Sequence, residues 1–144
     1  MRIVEIHARP ARQAAVRLLE AAGLPVEDLT DDHMAHFYFV GPATKPTGLV
    51  GLELCGGTAL LRSLVVAPEL RSAGLGRLLV ERAESHARAH GASSMFLLTT
   101  TAESFFRHLG YASADRASAP PEIRATREFA SICPASSAFL TKQL

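Results

Sequence analysis

The stretch Leu64-Val65-Val66-Ala67-Pro68-Glu69-Leu70-Arg71-Ser72-Ala73-Gly74-Leu75-Gly76-Arg77 decides how this chain is read. An apolar strand ends at Ala67-Pro68, a turn follows, and a loop bearing Gly74 and Gly76 opens directly into a helix. The first turn of a helix leaves backbone N–H groups without partners, and the macrodipole adds partial positive charge there. Glycines let a phosphate reach those amides without a Cβ in the way. Arg71 and Arg77 flank the loop and can add charge-assisted contacts. No Lys-Ser/Thr pair follows the second glycine, so this is not a nucleoside-triphosphate loop. The spacing also differs from GxGxxG, so a dinucleotide fingerprint is unsupported.

Before it, two apolar strands at 47–55 and 58–67 are separated by Gly56-Gly57, a two-residue hairpin signal because both glycines tolerate positive φ. That turn sets a register in which Cys55 pairs with Thr58 and Glu53 lies opposite Leu60. Upstream, residues 2–7 read as a strand. Ala11, Ala14, Ala15, Leu18, Leu19 and Ala22 recur at helical spacing until Gly23 and Pro25 stop them. Thr30-Asp31-Asp32 caps a short second helix, 36–40 reads as a strand, and 41–46 as a turn. Downstream, a helix over 75–90 carries the apolar stripe Leu75, Leu78, Leu79, Ala83 and Ala87, with Gly91 just past its end. A buried strand at 95–98, a helix over 102–109 ended by Gly110, a short helix around 121–130 and a strand near 138–140 complete the order. This alternation predicts an α/β (α+β) fold, one mixed sheet with helices on both faces, in a single domain over residues 1–144.

Composition narrows the function classes. The 144 residues suffice for a core, and 48% hydrophobic with 20% charged residues is an ordinary globular balance. Fifteen basic against fourteen acidic residues give a net charge of +1, which speaks against nucleic acid as a partner. An anionic ligand must therefore be held by a local cluster. No apolar run approaches the roughly 20 residues that span a bilayer, and the N-terminus lacks a signal-peptide h-region. Cys55 and Cys133 make no CxxC and no disulfide framework, so a cytoplasmic location is expected.

Arg71-Ser72-Ala73-Gly74-Leu75-Gly76 resembles the R/Q-x-x-G-x-G/A signature of the GNAT superfamily of acetyltransferases, between the fourth strand and the third helix. Phe105-Phe106-Arg107-His108-Leu109-Gly110-Tyr111 resembles the later aromatic motif of that superfamily. Three segments, 60–66, 97–103 and 123–129, look like the arsenic-resistance-associated N-acetyltransferase subfamily. The middle one is also similar to acetyltransferase domains that make N-acetylglutamate. The resemblance implies a mostly antiparallel sheet splayed at strands four and five, and acetyl-CoA as cosubstrate. It further implies that Leu64 and Val66 offer backbone groups to pantetheine, strand-fashion. Residues Arg71, Ser72, Ala73, Gly74, Leu75, Gly76 and Arg77 would hold the diphosphate, with Phe105 beside the cosubstrate.

Acetyl transfer to an amine needs a deprotonated nitrogen, a stabilised oxyanion and a thiolate that can leave. The resemblance places the Val66 N–H near the thioester carbonyl. Many relatives carry a glutamate on the fourth strand where this chain has Leu60. The hairpin register sets Glu53 across from it, either as the base or merely as an ion-pair partner of Arg62. Where relatives often have a proton-donating tyrosine, this chain has Phe106. That leaves Ser104, a threonine of 99–101, water, or unassisted departure.

Arg62 stands on a central strand, where an unpaired charge is costly. Arg124 and Arg127 share a helical face, either solvated and paired with Glu122 and Glu128 or forming a fork for an anionic acceptor. His86 and His90, four apart, lack the glutamate of a zinc-hydrolase motif and are expected to face solvent. His33 and His36 form no ligand pattern, so no metal is expected. The expected activity is N-acetylation of a small amino-acid-like or xenobiotic amine, of which arsinothricin or phosphinothricin is a type. A non-catalytic acyl-CoA-binding module and a protein lysine acetyltransferase are the alternatives, and a homodimer is left open.

Overall fold

The computed structural model describes residues 5–71, 74–132 and 136–144. Ser72, Ala73, Cys133 and the first residues of the expected 2–7 strand lie outside them. The strands are β1 (His7–Ala8), β2 (Tyr38–Val40), β3 (Gly48–Cys55), β4 (Thr58–Val66), β5 (Ser94–Thr99), β6 (Ala112–Ser113) and β7 (Ala138–Gln143). The α-helices are α1 (Arg12–Ala21), α2 (Asp31–Met34), α3 (Leu75–Ala89), α4 (Glu103–His108) and α5 (Pro121–Arg124). One seven-stranded sheet runs β1-β2-β3-β4-β5-β7-β6. Only β4 and β5 among these neighbours pair in parallel.

The hairpin has the register its two glycines predict, with Cys55 opposite Thr58 and Glu53 opposite Leu60. Toward the far end of the hairpin the register shifts: Gly51 lies opposite Arg62, but Leu49 lies opposite Val65. Ser63 and Leu64 therefore oppose the single residue Val50, and Ser63 takes φ 59°, a left-handed value for a bulged residue. The extra residue inverts the alternation of β4. Ala59, Leu61, Leu64 and Val66 face α3, while Leu60 and Val65 pack on the opposite side. Arg62 shares that opposite side with Leu60.

β4 and β5 pair only from Thr58 with Ser94 to Leu60 with Phe96, although both strands run on. Beyond Leu60 they separate, leaving a wedge in the middle of the sheet. α3 and α4 cover one face through Leu79, Ala83, Ala87 and Phe106. α1 and α2 cover the other beside Leu49 and Val65, and α5 seals its far end through Ile123 against Leu60 and Phe139.

Some local expectations need correction. Leu78 is 41% exposed and not part of the buried stripe of α3, whose inward positions include Val80 and Glu84. The short helix expected over 121–130 is broken: α5 ends at Arg124, and Glu128–Ile132 forms a separate π-type turn. Arg124 and Arg127 thus do not lie on one continuous helix. No helix among the described residues is long and apolar enough to cross a membrane.

Candidate active site

The wedge between β4 and β5 holds two cavities that share walls. One, of about 360 Å³, runs along Leu64, Val65 and Val66 to Arg71 and Gly76, with Thr101, Ala102 and Phe105 opposite. The other, of about 450 Å³, lies deeper, between Arg62, Ser63 and Leu64 on one strand and residues 97–101 on the other, with Glu128 and Ser137 in its wall. Leu24, Leu64, Thr101 and Ala102 line both.

The first groove has the polarity of a strand edge. The Ala67 amide donates to the Thr47 carbonyl at 2.8 Å, so Ala67 points its backbone toward β3. Backbone groups alternate along a strand, so the N–H and C=O of Val66 point into the wedge, as do those of Leu64. At the groove's end, Gly74 caps α3 with φ 80°, and a Cβ built there meets nothing within 4 Å. The first helical hydrogen bond of α3 is Leu78 N–H to the Gly74 carbonyl, so the amides of Gly74, Leu75, Gly76 and Arg77 have no intrahelical acceptor. A Cβ at Gly76 would come within 3.2 Å of the Phe105 ring, which is 37% exposed. Arg71 is exposed and donates to the Val66 carbonyl at 3.2 Å; Arg77 pairs with Glu81 at 3.2 Å. A groove with helix-start amides at one end and strand-edge groups along its length fits an elongated molecule with an anionic head.

The second cavity is governed by Arg62, which is 2% exposed. Its Nη1 donates to Asp28 at 2.5 Å and to Glu53 at 3.0 Å, its Nη2 to Asp28 at 2.8 Å, and its Nε to Ser63 at 3.2 Å. Nη2 also lies 3.2 Å from Glu128 Oε1. Burial works against the charge on Arg62, but the Asp28 hydrogen bonds with Glu128 and Glu53 outweigh it and raise its pKa. Burial likewise opposes the charge on Asp28, yet Arg62 wins and holds that carboxyl below its ordinary value. Glu128 goes the other way. Burial pushes it up to about 7 against the pull of Arg62, and Asp28, Glu53 and Glu27 add to the rise.

Among the residues singled out in the sequence, the wedge brings Arg62, Leu64, Val66, Arg71, Gly76 and Phe105 together. Glu53 lies behind Arg62 rather than in either cavity wall, with His33 3.7 Å from its other oxygen. Arg124 is exposed and donates to the Ala117 carbonyl at 3.2 Å, and Arg127 is also exposed; neither lines the cavities. Phe106 is buried, and Tyr111 is 3% exposed, with its hydroxyl donating to Glu84 at 2.8 Å. Burial, with Glu84 close by, raises the Tyr111 pKa, so the phenol stays protonated. Burial also pushes the Cys55 thiol up to about 11, which disqualifies it as a nucleophile at neutral pH. Asp28, His33 and Glu53 bring ligand-type atoms within 4.8 Å of one another, with both carboxylates already paired to Arg62. His86 is half-buried, 2.6 Å from the Tyr38 hydroxyl and 3.2 Å from His36, which corrects the expectation that it faces solvent. Asp28 and Ser137 escaped notice in the sequence, and Glu128 reads there only as a surface partner of Arg124 and Arg127, because they meet Arg62 or the cavity through distant segments.

A sheet opened between parallel strands, with a glycine-led helix start at its lip, is the architecture of an N-acetyltransferase. The chain belongs to the acetyltransferase (GNAT) family, whose profile matches residues 2–111. It is 40% identical over 65 residues to an uncharacterized N-acetyltransferase of Chlorobaculum tepidum, a match covering 45% of this chain and 41% of that one. It is 48% identical over 52 residues to an amino-acid acetyltransferase of Pseudomonas putida, covering 36% of this chain but 12% of that one. The chain thus matches less than half the length of these relatives. In structure it is similar to N-acetylglutamate synthase from Neisseria gonorrhoeae complexed with coenzyme A and N-acetyl-glutamate. There the TM-score is 0.81 at 21% identity, covering 100% of this chain and 36% of that one.

Proposed function

We propose that this protein transfers an acetyl group from acetyl-CoA to the amine of a small amino-acid-like acceptor. The observation that carries this reading is the shared wall of the two cavities: a groove suited to acetyl-CoA and a polar cleft meet at Leu64, Thr101 and Ala102. In this reading the amides of Gly74 to Arg77 receive the diphosphate, Arg71 and Arg77 add charge, and Ser72 and Ala73 belong to the same loop. Leu64 and Val66 pair with the pantetheine arm, the Val66 N–H polarises the thioester carbonyl, and Phe105 packs beside the arm. An oxyanion donor of this kind contributes about 3–4 kcal/mol to the barrier.

Holding acceptor and thioester in one wedge supplies proximity, the first requirement of the transfer. The acceptor's ammonium enters a cleft lined by Arg62 and Glu128, with Asp28 and Glu53 pairing the same guanidinium from behind. That excess of negative charge suits a cationic amine and favours its approach. Because Arg62 is committed to this network, Arg124 and Arg127 remain the residues proposed to meet an acceptor's anionic group, from outside the cleft. The amino-acid acetyltransferase and N-acetylglutamate synthase similarities support an amino-acid acceptor. An arsenic- or phosphorus-bearing amino acid of the arsinothricin or phosphinothricin type is the narrower version.

The test is release of free coenzyme A thiol from acetyl-CoA with a panel of acidic amino acids, their phosphorus and arsenic analogues, and lysine peptides. Acceptor-dependent release with free amino acids is the expected result. Release with peptides alone would make the protein a lysine acetyltransferase. Acetyl-CoA binding without any release would make it an acyl-CoA-binding module.

A further inference from the structure

The wedge contains a buried carboxylate that the family's usual base position does not predict. Glu128 is 4% exposed, sits on the π-type turn after α5, and forms part of the acceptor cleft's wall. Of the three carboxylates held by Arg62, it alone reaches that wall. Arg62 Nη2 lies 3.2 Å from its Oε1. A second buried polar group lies in the same wall. Ser137 is 5% exposed, and among the described residues its hydroxyl is the one buried side-chain polar atom without a partner. Such an atom costs stability unless a partner fills it, and Ser137 lines the cleft. Two polar residues of the C-terminal segment, Glu128 and Ser137, thus face the same cleft.

We propose that Glu128 is the catalytic residue that takes the proton from the acceptor's amine, with Arg62 as its positioning residue. This rests on the transferase reading above. A Glu128 oxygen removes one proton from R–NH3+, leaving a lone pair on nitrogen. That pair attacks the thioester carbonyl carbon, forming the C–N bond while the C–S bond breaks and sulfur departs with its electrons. The second proton shed by nitrogen goes to the thiolate, and Glu128 returns its own to solvent. The step thus yields the amide, free coenzyme A and one proton.

Every charged group facing Glu128 shapes its readiness. Arg62 from β4 favours its anion, while Asp28 and Glu27 from the segment after α1, and Glu53 from β3, oppose it. With burial, these place its ionisation at about 7, where a base is half-available and still strong enough to take a proton. Glu53, by contrast, is turned from the cleft toward Arg62 and His33, and Glu27 stands exposed at the rim.

The test compares turnover at saturating acetyl-CoA from pH 5.5 to 8.5 in the parent, Glu128→Gln and Glu53→Gln, with melting curves and acetyl-CoA affinity alongside. The parent should rise with an apparent pKa near 7. Glu128→Gln should lose roughly a hundredfold or more and lose that limb, with acetyl-CoA affinity within about twofold. Glu53→Gln should keep the limb. Should Glu128→Gln not fold, a carboxyl-carbon NMR titration of the parent decides instead: a midpoint between pH 6 and 8 supports the proposal, and one near 4 overturns it. An active parent whose Glu128→Gln variant keeps the limb overturns this inference alone. A parent that binds acetyl-CoA but acetylates no amine overturns the transferase reading and this inference together.

Discussion

Two glutamates, Glu84 and Glu128, are buried equally, each 4% exposed, and each touches a cation. Glu84 on α3 accepts from the Tyr111 hydroxyl at 2.8 Å and from Lys142 at 3.1 and 3.2 Å, so both of its oxygens are occupied and one cation answers one anion. Glu128 shares its cation with Asp28 and Glu53 and lines the cleft. The first cluster is satisfied and joins α3 to β7. The second has more negative charge than Arg62 can balance, and that surplus lies where an amine would enter. Equal burial thus supports two different jobs, and the surrounding charge decides which.

The largest expected effect breaks the second cluster. Arg62→Met leaves buried carboxylates without their cation, which should cost about 3–5 kcal/mol, or roughly 10 °C in Tm for a domain of this size. Without Arg62 the carboxylates would have folded-state pKa values above their unfolded ones. Their protonated forms would then be favoured, so the variant should recover stability as pH falls toward 4. Thermal melts at pH 4.5 and 7.5 check this; a loss independent of pH would mean that the cost is packing alone.

Breaking the first cluster should do less and do it elsewhere. Glu84→Gln keeps the shape but loses the anion beside Lys142, for about 1–3 kcal/mol. Turnover measured below its melting point should be unchanged. A fall in turnover to match that of Glu128→Gln would erase the distinction drawn here.

How much of this was readable in advance depends on the range of the interaction. The hairpin register followed from Gly56-Gly57 because a two-residue turn fixes strand pairing locally. The Gly74–Gly76 loop was legible for the same reason, since a helix start is written in adjacent residues. The bulge at Ser63 was not, because serine carries no signal for a left-handed φ. Without it, Arg62 reads as a neighbour of Leu64 and Val66, although it faces the other side of the sheet. Its partners Asp28 and Glu128 lie 34 residues before and 66 after it, too far apart in the chain for any spacing rule to join them. Leu78 fitted the α3 period but stands at the edge of the covered stripe, where apolar character and exposure coexist.

A smaller effect sharpens the groove's side of the picture. Gly74→Ala puts a side chain at φ 80°, with a backbone cost of about 1–2 kcal/mol and no clash with the protein itself. Gly74→Asp adds negative charge at the same lip. Calorimetry should show acetyl-CoA affinity falling by about ten- to a hundredfold in Gly74→Asp and less in Gly74→Ala. The smallest effect lies outside the wedge. Burial and neighbouring positive charge, His90 first, lower the pKa values of His36 and His86. Folded values below the unfolded one of about 6.5 mean that this stability is present above that pH and lost as pH falls. His86→Gln should therefore flatten the decline in Tm between pH 7.5 and 5.5.

The central claim is that the open edge of β4 and the start of α3 form one acetyl-CoA groove. Amide hydrogen exchange followed by NMR, with and without acetyl-CoA, tests it residue by residue. The Val66 amide, turned into the wedge, and the amides of Gly74 to Arg77 should gain protection when acetyl-CoA binds. Ala67, already bonded to Thr47, should hardly change. Binding that leaves Val66 and the Gly74–Arg77 amides exchanging as before would contradict the claim and place acetyl-CoA elsewhere on the protein.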